Sequence, residues 1–130
     1  VDEIYRVLAK GAIYKLHNIA IHEMPKWWVY HYFPSAFYED LKRFWNKEVI
    51  FNELASRGFE VNLNIEYRME NIRVKDYISY AENRDISVLT LINDKDYQEG
   101  LERMRYDLKT NPDKTIVNDF AEMFCIATKV

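Results

Sequence analysis

The side chains of this sequence that are best suited to metal binding or proton transfer are three histidines and one cysteine. They are His17, His22, His31 and Cys125. His17 and His22 are five residues apart, so on an extended strand they would face opposite sides and form no two-histidine metal site. Cys125 lies in an apolar run, where a thiol usually packs as a small apolar group. We therefore expect no metal site and leave acid–base chemistry by histidine open.

A dense group of aromatic side chains marks the stretch from Trp27 to Trp45. Its members are Trp27, Trp28, Tyr30, Tyr32, Phe33, Phe37, Tyr38, Phe44 and Trp45. Such a stretch either builds a core or lines a pocket. Aromatic side chains can also stack on single-stranded nucleic acid, but that mode needs a positive groove, and the net charge here is −3. We expect no nucleic-acid partner.

Length and composition favour one domain over residues 1–130, with a modest core. The chain is 48% hydrophobic and 30% charged, which is typical of a folded protein rather than a disordered one. A single cysteine cannot form an internal disulfide. The sequence has no basic-then-apolar leader, and its apolar runs are too short to span a bilayer. We therefore expect a cytoplasmic protein without a membrane partner.

The elements that must position these residues begin with a short helix and a strand. Ile4, Val7 and Leu8 share one helical face, and Gly11 supplies the left-handed position that ends helices. A strand is predicted over residues 12–22, and Pro25 then interrupts it because proline cannot donate to the sheet ladder.

Two helices are predicted in the middle of the chain. Ser35 is suited to cap the first, which would run through Phe37, Leu41 and Phe44. Asn46 is suited to cap the second, which ends at Arg57-Gly58. The side chains predicted to be buried on this second helix are Ile50, Phe51 and Leu54.

The second half of the chain alternates strands and helices. Residues 59–68 alternate apolar and polar side chains, which predicts a strand with one buried face. Another helix is marked by Val74, Tyr77, Ile78 and Ala81, whereas residues 86–92 are ambiguous. Asn93 is suited to cap a helix that buries Tyr97, Leu101, Met104 and Leu108. Residues 119–128 form a nearly continuous apolar strand, a pattern typical of burial on both faces.

This order of elements, together with short motifs, resembles the carboxyl-terminal part of class I S-adenosylmethionine-dependent methyltransferases, a Rossmann-like family. Residues 6–12, Arg-Val-Leu-Ala-Lys-Gly-Ala, are similar to the segment that leads into the family's fifth strand. Residues 56–61, Ser-Arg-Gly-Phe-Glu-Val, are similar to the entry into the sixth strand. Residues 124–129 are similar to the closing seventh strand. Residues 32–34, 41–44 and 97–101 look like a bacterial or archaeal type with uncharacterised substrates.

The family's cofactor-binding signatures are absent from this sequence. It has no glycine-rich loop after a first strand and no acid placed to hold the cofactor ribose. The three glycines, Gly11, Gly58 and Gly100, are too far apart to form a nucleotide loop. The resemblance therefore implies a parent protein that uses S-adenosylmethionine, of which this is the substrate-side half. It implies no cofactor-binding residue here and an absent N-terminal, cofactor-binding half.

The resemblance implies an α/β fold, or α+β for the isolated piece. Its expected core is a three-stranded mixed sheet packed by about four helices. The last strand should be central and antiparallel to the other two, with residues 59–68 at one edge. The strand over residues 12–22 would then keep a free edge. We expect two copies to form a homodimer through that edge, Ala12 to His22, or through the aromatic stretch.

The same resemblance implies transfer of a methyl group to an unidentified small-molecule acceptor. Residues that follow the carboxyl end of a strand commonly line the ligand site in open α/β sheets. His22 is the candidate general base, because histidine fills that role most often. The candidate substrate-binding residues are Glu23, Trp28, Tyr30, His31, Tyr32 and Arg43. The competing interpretation is that the aromatic residues simply build the core and that Arg43 caps a helix or pairs on the surface.

An alternative hypothesis is a self-contained α+β module that binds a ligand or a protein through an aromatic pocket, without catalysis. The two hypotheses differ in what should precede Val1. A glycine-rich loop after a strand would favour the methyltransferase, of which this piece alone should be inactive. A natural initiator just before Val1 would favour the module.

Overall fold

The computed structural model describes residues 2–130, which fold into six α-helices and three strands. The helices are α1 (Asp2–Val7), α2 (Trp28–Tyr32), α3 (Pro34–Arg43), α4 (Lys47–Ser56), α5 (Ile78–Glu82) and α6 (Asp94–Thr110). The strands are β1 (Ile13–Ile19), β2 (Phe59–Arg73) and β3 (Thr115–Lys129). Three 3₁₀ turns lie at Ile21–Glu23, Val74–Asp76 and Ser87–Thr90. No helix of residues 2–130 combines the length and the apolar character needed to cross a membrane.

The last strand is central in the sheet, as predicted. The strand order is β1-β3-β2, and β3 pairs antiparallel with both neighbours. Cys125 marks the middle of the sheet, opposite Leu16 of β1 and Leu63 of β2. Within residues 2–130 no strand pairs with the outer edge of β1. Pairing of two copies along that edge, or through the aromatic stretch, stays a prediction.

The two faces of the sheet differ in cover. One face presents Ala121, Met123, Cys125 and Ala127 of β3, all of them buried, and α4 packs against β2. On the other face Phe124 is only partly buried and stacks on His17, with 4.5 Å between ring centroids. Ile126 on this face is 42% exposed. The expectation of a strand covered on both faces is therefore wrong, because residues 2–130 supply full cover to one face only.

Two segments form a helical cap beyond the carboxyl ends of β1 and β2. The first follows β1 and contains α2 and α3, and the second joins β2 to β3 and contains α5 and α6. They contact each other through α2 and α6. Phe33, which is fully buried, stacks on Tyr97 with 6.0 Å between ring centroids and packs against Gly100. The cap is thus a second packed layer, joined to the sheet where β1 ends.

Helix ends follow the sequence in most places. The side chains of Asn46 and Asn93 accept hydrogen bonds from the backbone N–H groups of Val49 and Asp96, at 2.9 and 2.8 Å, as expected of caps. Gly58 ends α4 with a φ of +99°. The Ser35 cap is wrong, because Pro34 already occupies the first turn of α3 and Phe33 is the residue that precedes it.

Some predicted core positions also differ. Phe51 is 43% exposed, because it lies on the outer side of α4 whereas Ile50 and Leu54 face the sheet. Leu108 is only partly buried. The ambiguous residues 86–92 contain the 3₁₀ turn Ser87–Thr90, and the strand predicted over residues 12–22 ends at Ile19. His22 therefore lies in a 3₁₀ turn and not on a strand, so strand alternation does not set its side chain opposite that of His17.

Candidate functional site

A groove of about 250 Å³ lies where β1 ends, on the partly covered face of the sheet. We call it the aromatic groove, and its lining residues are Trp27, Trp28, Arg68, Glu70, Tyr77, Asn118 and Phe120. Its floor consists of two cross-strand pairs, Arg68 opposite Phe120 and Glu70 opposite Asn118. Its walls come from the two segments of the cap. Sheet and cap thus meet at this groove, beyond the carboxyl end of β1.

The aromatic walls are in mutual contact. Trp27 lies 6.1 Å from Phe120 and 6.5 Å from Trp28, between ring centroids. Trp28 in turn lies 5.6 Å from Tyr77, at an interplanar angle of 53°. Tilted and edge-to-face contacts of this kind are favourable between aromatic rings. Trp27 and Trp28 are 8% and 3% exposed, so only small parts of their rings reach the groove, and their mutual packing holds its walls in place.

Two side chains of β3 hold the loop that carries the tryptophans. The Lys26 backbone N–H donates to Oδ1 of Asp119 at 2.8 Å, and the Trp28 backbone N–H donates to Oδ1 of Asn118 at 2.7 Å. The Tyr67 hydroxyl donates to the other oxygen of Asp119 at 3.1 Å. Asn118 and Asp119 are only 7% and 2% exposed. These bonds fix the loop against β3 and so set the position of the groove walls.

The groove also contains groups of both charges. The Arg68 guanidinium lies 5.5 Å from the Phe120 ring centroid, and its nearest carboxylate is Glu122, at 3.4 Å. Burial raises the pKa of the Tyr77 hydroxyl, and the Glu70 carboxylate raises it further. Tyr77 is therefore a neutral phenol near physiological pH. Glu70 is the carboxylate of this groove that can accept a proton from a ligand.

Of the predicted site residues, the structure places Trp28 in the aromatic groove. His22 and Glu23 line a small cleft with Ile65 and Met123, which belong to the face that α4 covers. His22 is exposed, and Glu23 forms an ion pair with Lys47 at 3.0 Å. The structure therefore does not bring His22 and Glu23 together with Trp28.

Tyr30 and Arg43 meet at a third place, the buried carboxylate of Asp40. The Tyr30 hydroxyl donates to Asp40 at 2.5 Å, and the Arg43 guanidinium donates to it at 2.6 Å. Asp40 is 1% exposed. Burial raises the pKa of Tyr30, as do its hydrogen bond to Asp40 and the charge of that carboxylate. This cluster ties α2 to α3, which agrees with the interpretation of Arg43 as a pairing residue.

His31 and Tyr32 line a wide, open groove of about 590 Å³ between α2 and α6. The Tyr32 hydroxyl donates to Asp107 at 2.7 Å, and the Arg103 guanidinium donates to the Tyr32 carbonyl. Tyr32 is 2% exposed, whereas His31 is exposed. The structure thus brings His31 and Tyr32 together, and the contacts of Tyr32 join the two cap segments.

Burial raises the pKa of Tyr32, and so do the hydrogen bond to Asp107 and its charge. Tyrosine in the unfolded chain ionises near pH 10. Because the pKa of Tyr32 is higher in the folded state, its contribution to stability is complete below that pH and is lost as the pH rises further. We expect the free energy of unfolding to fall as the pH rises above about 10. Tyr32→Phe should flatten this fall, whereas Tyr38→Phe, at a side chain 65% exposed, should not. Urea denaturation at pH 8 and pH 10.5 measures both; equal slopes for the two variants would contradict the assignment.

The predicted site residues do not include six of the seven residues that line the groove: Trp27, Arg68, Glu70, Tyr77, Asn118 and Phe120. The polar pair Asn118-Asp119 at the head of an apolar strand was the available signal, because buried polar groups need partners. Within residues 2–130 no cluster of three or more His, Cys, Asp or Glu side chains is suited to a metal ion. The expectation of no metal site stays a prediction.

Comparison with known proteins supports the fold. A candidate methyltransferase from Bacillus halodurans C-125 superposes with a TM-score of 0.51 and 17% identity, over 98% of this chain and 55% of that one. Phosphoethanolamine N-methyltransferase 2 from Haemonchus contortus, solved with phosphomonomethylethanolamine and S-adenosylhomocysteine, gives a TM-score of 0.33 and 15% identity over 98% and 28% of the two chains. No protein-family model and no curated protein matches the sequence.

The likeness to the Bacillus halodurans structure concerns the fold, since the identity is only 17%. The chain spans about half the length of that structure, 55%. The fold is therefore a mixed α/β arrangement that corresponds to part of a methyltransferase fold, as the motifs in the sequence predicted.

Proposed function

We propose that this chain is the substrate-side half of an S-adenosylmethionine-dependent methyltransferase and that the aromatic groove binds a small-molecule acceptor. The observation that carries the proposal is the sheet order β1-β3-β2, with the last strand inserted antiparallel between the other two. The fold likeness to a methyltransferase structure, which extends over 98% of the chain, supports the proposal. The motifs around Gly11, Gly58 and residues 124–129 lie before β1, at the start of β2 and at the end of β3, which is where the resemblance expects them.

Residues 2–130 do not fit the cofactor. Gly11 and Gly58 have positive φ at the ends of local turns, and Gly100 is packed inside α6 against Phe33. None of them opens a loop onto a helix N-terminus, the arrangement that binds nucleotide phosphates and the cofactor in Rossmann-like folds. The cofactor supplies the methyl group, and in this proposal residues outside the chain hold it. The chain alone is expected to be inactive.

The residues of this chain would position the acceptor and receive its proton. Open α/β sheets bind ligands outside the carboxyl ends of their strands, which is where the aromatic groove lies. Methyl transfer depends mainly on alignment of the acceptor atom, and the rigid walls around Trp27 and Trp28 suit that task. Glu70 is the proposed proton acceptor. The role of His22 as a base stays a prediction.

The test is S-adenosylmethionine binding and label transfer by the complete gene product that contains this chain. Calorimetric titration should show one-to-one binding to that product and no heat with residues 1–130 alone. Glu70→Gln should lower kcat by about a hundredfold, the usual contribution of a positioned base. Glu66→Gln on the same face of β2 is the matched control, and His22→Gln tests the alternative base. A folded gene product without S-adenosylmethionine binding would sink the proposal.

A second candidate is the binding module without catalysis. The observation in its favour is that residues 2–130 close a core of their own, in which Phe33, Met24 and Met104 have no exposed surface. A ligand that binds this chain, together with a complete gene product that ignores S-adenosylmethionine, would favour the module.

A further inference from the structure

We infer that the aromatic groove binds a single-ring compound with a carboxylate at one end and a hydroxyl group at the other. The inference rests on the proposed function only in calling this ligand the methyl acceptor. The binding itself needs no cofactor. It is carried by an unpaired amide donor, the spacing of two opposite charges on one strand, and the aromatic walls.

The unpaired donor is the side-chain amide of Asn118. Its Oδ1 accepts from the Trp28 backbone N–H at 2.7 Å, and a backbone N–H cannot pair with Nδ2, so the orientation of the amide is fixed. Asn118 is 7% exposed and lines the groove. Within residues 2–130 no oxygen accepts a hydrogen bond from Nδ2. Ser35 Oγ is the one buried side-chain atom of residues 2–130 without a partner, so the unpaired Nδ2 of Asn118 is open to the solvent of the groove. A ligand oxygen in the groove can therefore accept a hydrogen bond from it.

Glu70 lies directly across the sheet from Asn118. A hydroxyl group between them can donate to the Glu70 carboxylate and accept from Nδ2 of Asn118 at the same time. A hydroxyl is both donor and acceptor, whereas an ammonium group only donates and a carboxylate only accepts. This end of the groove therefore favours a hydroxyl over either charged group.

Arg68 lies at the other end of the aromatic groove. It precedes Glu70 by two residues on the same face of β2, which corresponds to about 6.7 Å along the strand. Its side chain is 70% exposed, and its single carboxylate contact within residues 2–130 is the 3.4 Å approach to Glu122. Donors of the guanidinium thus remain free for a ligand carboxylate, the group that its planar fork fits best.

The aromatic side chains favour a ring between the carboxylate and the hydroxyl group of the ligand. Trp27 and Phe120 lie beside Arg68, whereas Trp28 and Tyr77 lie beside Asn118 and Glu70. A volume of about 250 Å³ is below the range of drug-sized pockets and suits one ring. A ring with its two polar groups in the para positions spans about the distance from Arg68 to Glu70. The class is thus a 4-hydroxybenzoate-like acid, with the hydroxyl as the methyl acceptor.

Calorimetric titration of the 130-residue chain with 4-hydroxybenzoate tests the inference, with circular dichroism to verify folding. We expect saturable one-to-one binding. The 2-hydroxy isomer, 4-methoxybenzoate and 4-hydroxybenzyl alcohol should each bind at least about tenfold more weakly, because each misplaces or loses one polar end. Benzylamine should not bind. Equal binding of all these compounds, preference for benzylamine, or no binding by the folded chain would overturn the inference.

Substitutions of the exposed residues Arg68 and Glu70 test the carboxylate end and the hydroxyl end of the ligand separately and leave the core intact. Arg68→Met should weaken 4-hydroxybenzoate about tenfold and leave 4-hydroxybenzyl alcohol unchanged. Glu70→Gln should weaken 4-hydroxybenzoate and leave 4-methoxybenzoate unchanged. Arg73→Met and Glu60→Gln, on the same strand but outside the groove, are the matched controls. Asn118→Ala adds a third test, with unfolding measured in parallel because Asn118 also holds the loop at Trp28.

Different results would contradict the proposed methyltransferase and the proposed ligand class. Binding of 4-hydroxybenzoate by this chain, with no S-adenosylmethionine binding by the complete gene product, would retain the ligand class and reject the methyltransferase. Cofactor binding by the gene product, with no ring-acid binding by either protein, would retain the methyltransferase and reject the ligand class.

Discussion

Gly100→Ala is expected to lower the free energy of unfolding by about 2–3 kcal/mol, at the upper end of the usual cost of overpacking a core. A Cβ at this position would overlap the Phe33 ring and lie 2.9 Å from the Tyr32 carbonyl oxygen. Phe33 has no exposed surface and stacks on Tyr97, so its ring has little room to move. Alanine is the better helix former by about 1 kcal/mol, which offsets only part of the overlap.

Urea denaturation followed by circular dichroism measures this effect, with Glu99→Ala as the control. Glu99 precedes Gly100 in α6, and its side chain is exposed. The control should change the free energy of unfolding by no more than about 0.5 kcal/mol, as is usual for a surface substitution. A Gly100→Ala variant as stable as the control would show that α6 is not held against Phe33 in the way described.

Local signals explain which parts of the fold were predictable from the sequence. The caps at Asn46 and Asn93 depend on hydrogen bonds to residues only three positions away, so short motifs reveal them. The strand β2 was predicted over residues 59–68 but continues to Arg73. Its last residues pair with β3, with Ile72 opposite Ile116, across more than forty positions of sequence. Pairing with a distant strand requires no alternation of apolar and polar side chains within the strand itself, so its last residues carried no signal in the sequence.

The site was less predictable than the fold for the same reason. Trp28 was predicted as a site residue because it belongs to a conspicuous aromatic stretch. Asn118 holds Trp28 from a position 90 residues away. Tyr30 and Tyr32 were predicted to bind substrate, and the hydrogen bonds of their hydroxyls to Asp40 and Asp107 were not visible in the sequence. The sequence indicated which residue types are candidates for the site. The register between β2 and β3 determines which of these residues lie side by side in the groove.

Asp119→Ala is the second substitution with a large expected effect, because Asp119 holds the tryptophan loop on β3. Its carboxylate accepts from the Lys26 backbone N–H and from the Tyr67 hydroxyl, and the residue is 2% exposed. Alanine would leave the Lys26 N–H without its partner and open a small cavity. We expect a loss of about 2–3 kcal/mol in the free energy of unfolding. Asp113→Ala is the matched control, since its side chain is 86% exposed.

The same substitution should also damage the groove, because Trp27 lies between the two backbone N–H groups that β3 holds, those of Lys26 and Trp28. Without the Lys26 bond the loop keeps the contact of Met24 Sδ with the Ala121 N–H and the bond of the Trp28 N–H to Asn118, and Trp27, which lies between them, has more freedom to move off Phe120. We therefore expect 4-hydroxybenzoate to bind about tenfold more weakly to Asp119→Ala under conditions where the chain is still folded. Asp119→Asn keeps an oxygen for the Lys26 N–H and should lose much less of both stability and binding. Unchanged affinity in a destabilised Asp119→Ala variant would mean that the loop position does not define the groove.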